Sequence, residues 1–282
     1  MSRRAPLFCD AGLARRIERS EAGRMAAASE AAARRGAQPA GFVTPIAGGF
    51  ATFADAGSPF NKIAGLGFGG GLDPAGLDDV ERGYAARGSP VQAEVSSLAD
   101  PAVPVTLTAR GYRLVSFENV LGRRVGSGED RSAPAGIEVS RADSDEFERW
   151  LELVLDGFAH ADAEGVPSHE EFLREVVAAA QRDFASTGAL LYIARRDGTP
   201  AGGAGMALAD GIAHLAGAAT APAHRRHGVQ TALLAARLAD AGTAGCDLAV
   251  VTTLPGSVSQ RNVQRSGFDL LYTRAVLLKP LS

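Results

Sequence analysis

The chain has 282 residues, of which 46% are hydrophobic and 22% charged, with a formal net charge of -3 and an isoelectric point near 6.0. This is the composition of a globular protein long enough for two domains. It excludes a binder of nucleic acid that works through a basic surplus, and no apolar run is long enough to cross a bilayer.

The N-terminus "MSRRAPLFCD" lacks the apolar core of a secretory signal. The two cysteines, Cys9 and Cys246, offer neither a disulfide framework nor metal-ligand spacing. Reduced thiols in a cytoplasmic protein are expected. From Leu7 to Gly36 the pattern reads as helix, so the first half has no clear opening strand. Gly65, Gly67 and Gly70 then fit G-x-G-x-x-G, with an apolar stretch before them and a helical one after. A dinucleotide turn should open directly into its helix, but Asp73 and Pro74 intervene. Asp73 can cap that helix with its own carboxylate, and Pro74 removes a backbone N–H from any anion cradle. Glu94, ending a strand-like segment at about the right distance for a ribose ligand, keeps a nicotinamide-dinucleotide reading open.

Residues 126–135, "GSGEDRSAPA", have linker composition. They divide the chain into an expected domain at 1–125 and a second at 136–282. In the second half "GIEVSRA" alternates as a strand. Ser144 is a plausible N-cap for a helix carrying Phe147, Trp150, Leu151, Val154 and Phe158, and His169–Phe184 reads as another helix. "ALLYIAR", "GGAGMALA" and "IAHLAGAAT" read as three strands joined by tight turns. A helix follows from about Gly228 to Ala241, then the buried strand "DLAVVTTL", a short helix and a last strand "LLYTRAVLLK".

A shift of 156 positions lays the end of the first half on the end of the second. Ala93, Val95, Leu98, Gly111, Leu114, Val120 and Leu121 meet identical residues, and both segments run strand, loop, short helix, Gly-aromatic turn, strand. Two copies of one fold are expected. At the same shift Gly69, Gly70 and Gly71 fall on Arg225, Arg226 and His227, and Leu72 falls on Gly228. The glycine-rich stretch is then the N-terminal counterpart of the segment that carries chemistry in the second half.

That segment leads from a strand through "APAH" into "RRHGVQTALLAARLADAG". A helix N-terminus offers unpaired N–H groups and partial positive charge. Gly228 has no side chain, Arg225 and Arg226 supply cationic forks, and Thr231 a hydroxyl, so the junction suits a pyrophosphate. Val229, Leu233 and Ala236 share one face and anchor the helix. His224 and His227 form H-x-x-H, but two arginines lie between them and no third ligand is near, so no metal is expected.

The run "AATAPAHRRHGVQTALL" resembles the acetyl-CoA signature of the GCN5-related N-acetyltransferases, the GNAT family, with Arg225 and Gly228 matching and Gln230 standing where Gly or Ala is usual. The resemblance implies an α/β fold with two tandem GNAT-like domains, each a mixed, mostly antiparallel twisted sheet flanked by helices, the N-terminal copy degenerate. It implies acetyl-CoA as co-substrate. The backbone of Ala218, Ala219 and Thr220 would pair with pantetheine, Arg225, Arg226, His227, Gly228, Val229, Gln230 and Thr231 would wrap the pyrophosphate, and Asn262 or a serine near Ser259 would touch the pantetheine or the thiol end. It further implies transfer of an acetyl group to an amine of a small molecule or peptide. His214, on the strand before the loop, stands where some members carry a base. The usual acid tyrosine is replaced by Val263, and Tyr272 is the substitute considered. The alternative is a non-catalytic acyl-CoA-binding module.

Overall fold

The structure is a computed structural model describing residues 5–160 and 166–281. The chain opens with α1 (Ala11–Arg35), started by the Asp10 carboxylate, which accepts from the Leu13 amide, and ended by Gly36 in the left-handed region. β1 (Phe42–Ile46), β2 (Gly49–Phe53), β3 (Lys62–Ala64), α2 (Pro74–Ala85), β4 (Val91–Ser96), α3 (Ala102–Ala109) and β5 (Arg113–Arg124) complete the first run. The second comprises β6 (Ile137–Arg141), α4 (Phe147–Ala159), α5 (Arg174–Ser186), β7 (Leu190–Arg196), β8 (Thr199–Ala209), β9 (Ile212–Thr220), α6 (Val229–Thr243), β10 (Leu248–Thr253), α7 (Val258–Arg265) and β11 (Asp269–Lys279). The offset of 156 carries α3 onto α7 at both ends and the start of β5 onto the start of β11. The duplication is thus written in the elements as well as in the residues.

Two compact units form, and neither is simply one half of the chain. One, here the N-terminal unit, takes residues 8–120, 167–187 and 271–282; the other, the C-terminal unit, takes 1–7, 121–166 and 188–270. In the N-terminal unit β1, β2 and β3 form an antiparallel meander. β3 runs parallel to β4 at Ile63 and Ala93. The chain's last strand then adds to this unit, β11 pairing antiparallel with β4 from Arg274 opposite Ser96 to Lys279 opposite Val91. The core collects Phe53, Ile63, Leu77, Tyr84 and Leu107, with Leu277 from β11.

In the C-terminal unit β6, β7, β8 and β9 are antiparallel neighbours, and β10 joins β9 in parallel. The Trp150 indole of α4 is fully buried and donates to the Ala204 carbonyl of β8 at 3.0 Å. The face of α6 expected from sequence is the buried one: Val229, Leu233 and Ala236 all lie in this core. Two helix starts differ from expectation. Asp143, not Ser144, caps the approach to α4, its carboxylate accepting from the amides of Asp145 and Glu146. Helix α5 begins at Arg174, five residues later than read, after an extended Leu173.

Residues 125–136 form neither helix nor strand, yet they are held against α6. Arg131 pairs with Asp240 of that helix. The same carboxylate accepts from the Arg141 guanidinium and the Tyr192 hydroxyl, both at 2.9 Å. Burial pushes the Asp240 carboxyl up, but these hydrogen bonds and the two arginine charges outweigh it and hold the group below the ordinary carboxylate range. Its contribution is therefore present above that range and is lost as falling pH protonates it. Asp240→Asn is expected to cost about 1–3 kcal/mol at neutral pH and to remove part of the stability loss below about pH 4; urea titrations at pH 7 and pH 3 measure both.

Candidate active site

The site begins where two parallel strands part. β9 and β10 are in register over Ile212, Ala213 and His214 opposite Leu248, Ala249 and Val250, and no further. His214 stands at the apex of this splay and is 3% exposed. Beyond it, among the described residues, the side of β9 turned from β8 has no strand in register. On the β8 side the pairing steps from Ala216 opposite Gly205 to Ala219 opposite Gly203, so two β9 residues, Gly217 and Ala218, face one on β8. This is a β-bulge, with Gly217 at φ 61°. Ala218 is exposed while Ala219 and Thr220 are buried. The bulge was missed from sequence, where the signal was a lone glycine inside a strand pattern.

A 3-10 turn at Pro222–His224 leads from β9 toward α6. Arg225 is extended, Arg226 is left-handed at φ 64°, and Gly228 precedes the helix at φ 85°. No side chain caps α6, which leaves its first-turn N–H groups available to an anion. A non-glycine residue in the left-handed region is uncommon and marks such sites. Arg226 and His227 are exposed. Arg225 is turned elsewhere, donating to the carbonyl of His160 at the end of α4. Gln230 reaches back to donate to the Thr220 hydroxyl at 3.0 Å, tying the first helical turn to the strand end. Thr231 is exposed beside it.

Gly228 also has a packing purpose. A Cβ at this position would lie 2.7 Å from Pro134 Cγ and 3.6 Å from Ile137. Its missing side chain makes room for the segment that crosses from β5 to β6, and its φ demands glycine in any case. On the second arm of the splay, the Thr253 hydroxyl is buried and has no hydrogen-bond partner among the described residues. Sequence reasoning did not single it out. His224 Nδ1 is likewise buried and without a partner among the described residues.

The remaining candidates are distributed differently. Asn262 is half-buried on α7, a helix capped by Ser257, and its carbonyl accepts from the Ser266 hydroxyl. Tyr272 belongs to the N-terminal unit. Its hydroxyl donates to Glu18 at 2.7 Å, and burial together with the Glu18 charge pushes its pKa far up. A phenol so placed is a poor proton donor to a leaving group. The loop flanked by His160 and His169 lies largely outside the described residues, and its two histidines fall in different units.

The glycine-rich stretch resolves as a packing device. Gly69 lies so close to Gly48 that a Cβ on it would sit 2.5 Å from the Gly48 Cα. The Gly67 carbonyl accepts from the Asp100 amide. Asp73 caps α2 by accepting from the Gly76 amide at 2.9 Å, with Pro74 in its first turn. Glu94, the residue that kept a ribose contact open, is 1% exposed and bonded to Lys62 at 2.5 Å.

Residues 116–254 match the model of an acetyltransferase (GNAT) domain. The chain carries a GNAT domain. No curated protein matches it. Among solved structures, it is similar to a GCN5-related N-acetyltransferase from Kribbella flavida, with 23% identity, 90% of this chain and 95% of that one covered, and a TM-score of 0.64. A tandem GNAT protein from the clavulanic acid biosynthesis pathway is 14% identical, with 93% and 94% covered and a TM-score of 0.60. These likenesses, spanning nearly the full length, show the fold: a mixed α/β architecture of tandem GNAT type. The matched segment contains the splay, the bulge and the loop before α6, so the GNAT domain includes the geometry assembled above.

Gly228→Ala is expected to destabilise the protein by about 1–3 kcal/mol, since it puts a Cβ on a left-handed residue against Pro134. Thermal denaturation without ligand measures it, and an unchanged melting temperature would contradict the packing role.

Proposed function

We propose that the protein is an acetyl-CoA-dependent N-acetyltransferase acting on a primary amine of a small molecule or peptide, in the cytoplasm, with its cofactor loop at 218–231. The observation that carries this reading is the unpaired arm of β9 running into an uncapped helix. An extended pantetheine can add to that arm as a strand would, and the first turn of α6 with Arg226 can receive the diphosphate. The residues present fit the group: a strand edge for amides, an N-terminal cradle and an exposed guanidinium for phosphates. Within the reading, the duplication runs over 1–125 and 136–282, and only the second copy keeps the cradle.

Acetyl-CoA supplies the thioester when bound. The chain's own residues hold it and manage a proton. The amine nitrogen bonds the thioester carbonyl carbon, the C–S bond breaks, the nitrogen gives up a proton and the departing thiolate takes one up. His214, at the apex of the splay, is the group assigned to receive the amine's proton. Positioning and backbone donors contribute the rest. Asn262, on α7, is assigned to the thiol end. A binding module without turnover is the second reading. It is favoured by Val263 in place of an acid and by the commitment of Tyr272 to Glu18.

Acetyl-CoA at about a hundred times its Kd is expected to stabilise the wild type by ~2.7 kcal/mol, and Arg226→Glu to bind it at least tenfold more weakly. Equal thermal shifts in both would remove the loop assignment. Thiol release with an amine panel separates enzyme from module. His214→Gln is expected to lower kcat by about 10²–10⁴; a kcat like that of the wild type would take His214 out of the chemistry.

A further inference from the structure

The bulge of the C-terminal unit takes support from outside the sheet. Between Gly203 opposite Ala219 and Gly205 opposite Ala216, one β8 residue, Ala204, faces both Gly217 and Ala218. Such a step breaks the ladder locally, and buried carbonyls beside it call for other donors. Two side chains supply them. The Trp150 indole of α4 donates to the Ala204 carbonyl at 3.0 Å. The Arg237 guanidinium of α6 donates to the carbonyl of the next residue, Gly205, at 3.2 Å. The two helices lie on opposite faces of β8: a Cβ on Gly203 would lie 3.2 Å from the indole, and one on its neighbour Gly202 would lie 2.9 Å from Val229 of α6. Helix α4 also leans on the arm itself, since a Cβ on Gly157 would lie 2.3 Å from the Ala219 Cβ.

The charge of Arg237 is a second, independent observation. The residue is 3% exposed, and the group acting on its charge is the Tyr192 phenol, not a carboxylate. Burial pushes its pKa down to about 10, so it is still cationic at neutral pH. A buried cation without a counter-ion is costly, and an apolar residue of similar size would fill the place at less cost. Its remaining contact is the Leu233 carbonyl of its own helix at 3.1 Å, which steadies the guanidinium but does not call for one. The guanidinium is the group that reaches from α6 to a β8 carbonyl at the bulge.

We propose that Trp150 and Arg237 are positioning residues: they pin the bulge from its two faces and so hold the arm of β9 in the shape that receives acetyl-CoA. The inference rests on the reading of that arm as the cofactor's strand partner. Both residues act through the backbone. With either donor gone, a buried carbonyl is left unmet. The strand can relieve that by re-pairing, and a slip of one residue reverses the faces of Ala218 and Ala219.

Hydrogen exchange of the free protein and isothermal titration of the full chain with acetyl-CoA test it together. Arg237→Met and Trp150→Phe each remove one donor and keep most of the apolar bulk. Leu234→Ala, in the same core, is the control that destabilises the unit without removing a donor. Arg237→Met is expected to speed exchange in 212–220 well beyond exchange in 248–253, and to weaken acetyl-CoA about tenfold, the scale of one hydrogen bond to a charged group. Trp150→Phe is expected to act in the same direction and less strongly, its donor being neutral. Arg237→Lys keeps a cationic donor and is expected to recover most of both losses. Leu234→Ala is expected to speed the two segments alike. Equal acceleration of both segments in Arg237→Met, or unaltered acetyl-CoA affinity in both Arg237→Met and Trp150→Phe, would overturn the proposal. Failure of the wild type to bind acetyl-CoA would sink the proposed function and this inference with it, whereas wild-type binding with unaffected variants would sink the inference alone.

Discussion

Two parallel strands that stay in register for three residues and then separate create an obligation: backbone donors and acceptors on their inner edges need partners. In the C-terminal unit the obligation is left open. β9 and β10 part after His214, the bulge at Gly217 and Ala218 turns the arm of β9, and α6 starts without a side-chain cap. A strand edge asks for amides, and an uncapped helix asks for an anion. Both features lie within one run of residues, 215–231.

The N-terminal unit meets the same obligation internally. β3 and β4 are likewise parallel for a single pair. The loop beyond β3 packs glycine against glycine, and α2 takes its cap from Asp73. The equivalent positions in the C-terminal copy carry Arg225, Arg226 and His227 where this loop has glycines. One scaffold therefore has opposite electrostatics at its two helix entrances: an acid supplied by the chain in one, exposed Arg226 and His227 ahead of an uncapped helix in the other.

Around that internal closure the N-terminal unit buries an ion network on Arg274, 1% exposed and bonded to Glu18 and Glu21. The network fixes the last strand against α1 and draws Tyr272 into the same carboxylate. The position of the strand sets the hydroxyl of a tyrosine that follows the Gly-Phe turn in sequence against Glu18. Removing one partner would leave a buried charge uncompensated, which is more costly than losing the pair as a whole.

Much of this was legible in the residues. Alternation placed β7, β8 and β9, the helical period placed α6 and its buried face, and the offset of 156 announced a second copy. Asp73 and Pro74 marked a helix entrance that the chain caps itself, because capping and a missing N–H are local properties. Other features have no local signature. Ser144 and Asp143 are both good caps, and only the path of the chain selected Asp143. Arg225 sits within the motif, but the end of α4 draws its guanidinium away. Gly228 reads as an open approach until Pro134, 94 positions earlier in the numbering, is found packed on it. The sequence by itself determined the elements, the duplication and the charge at each helix entrance, since these follow from periodicity and neighbouring residues. The tertiary structure alone decided the splay at His214, the unmet Thr253 hydroxyl, the transfer of β11 to the N-terminal unit and the ion network on Arg274, since each depends on residues distant in the chain being brought into contact.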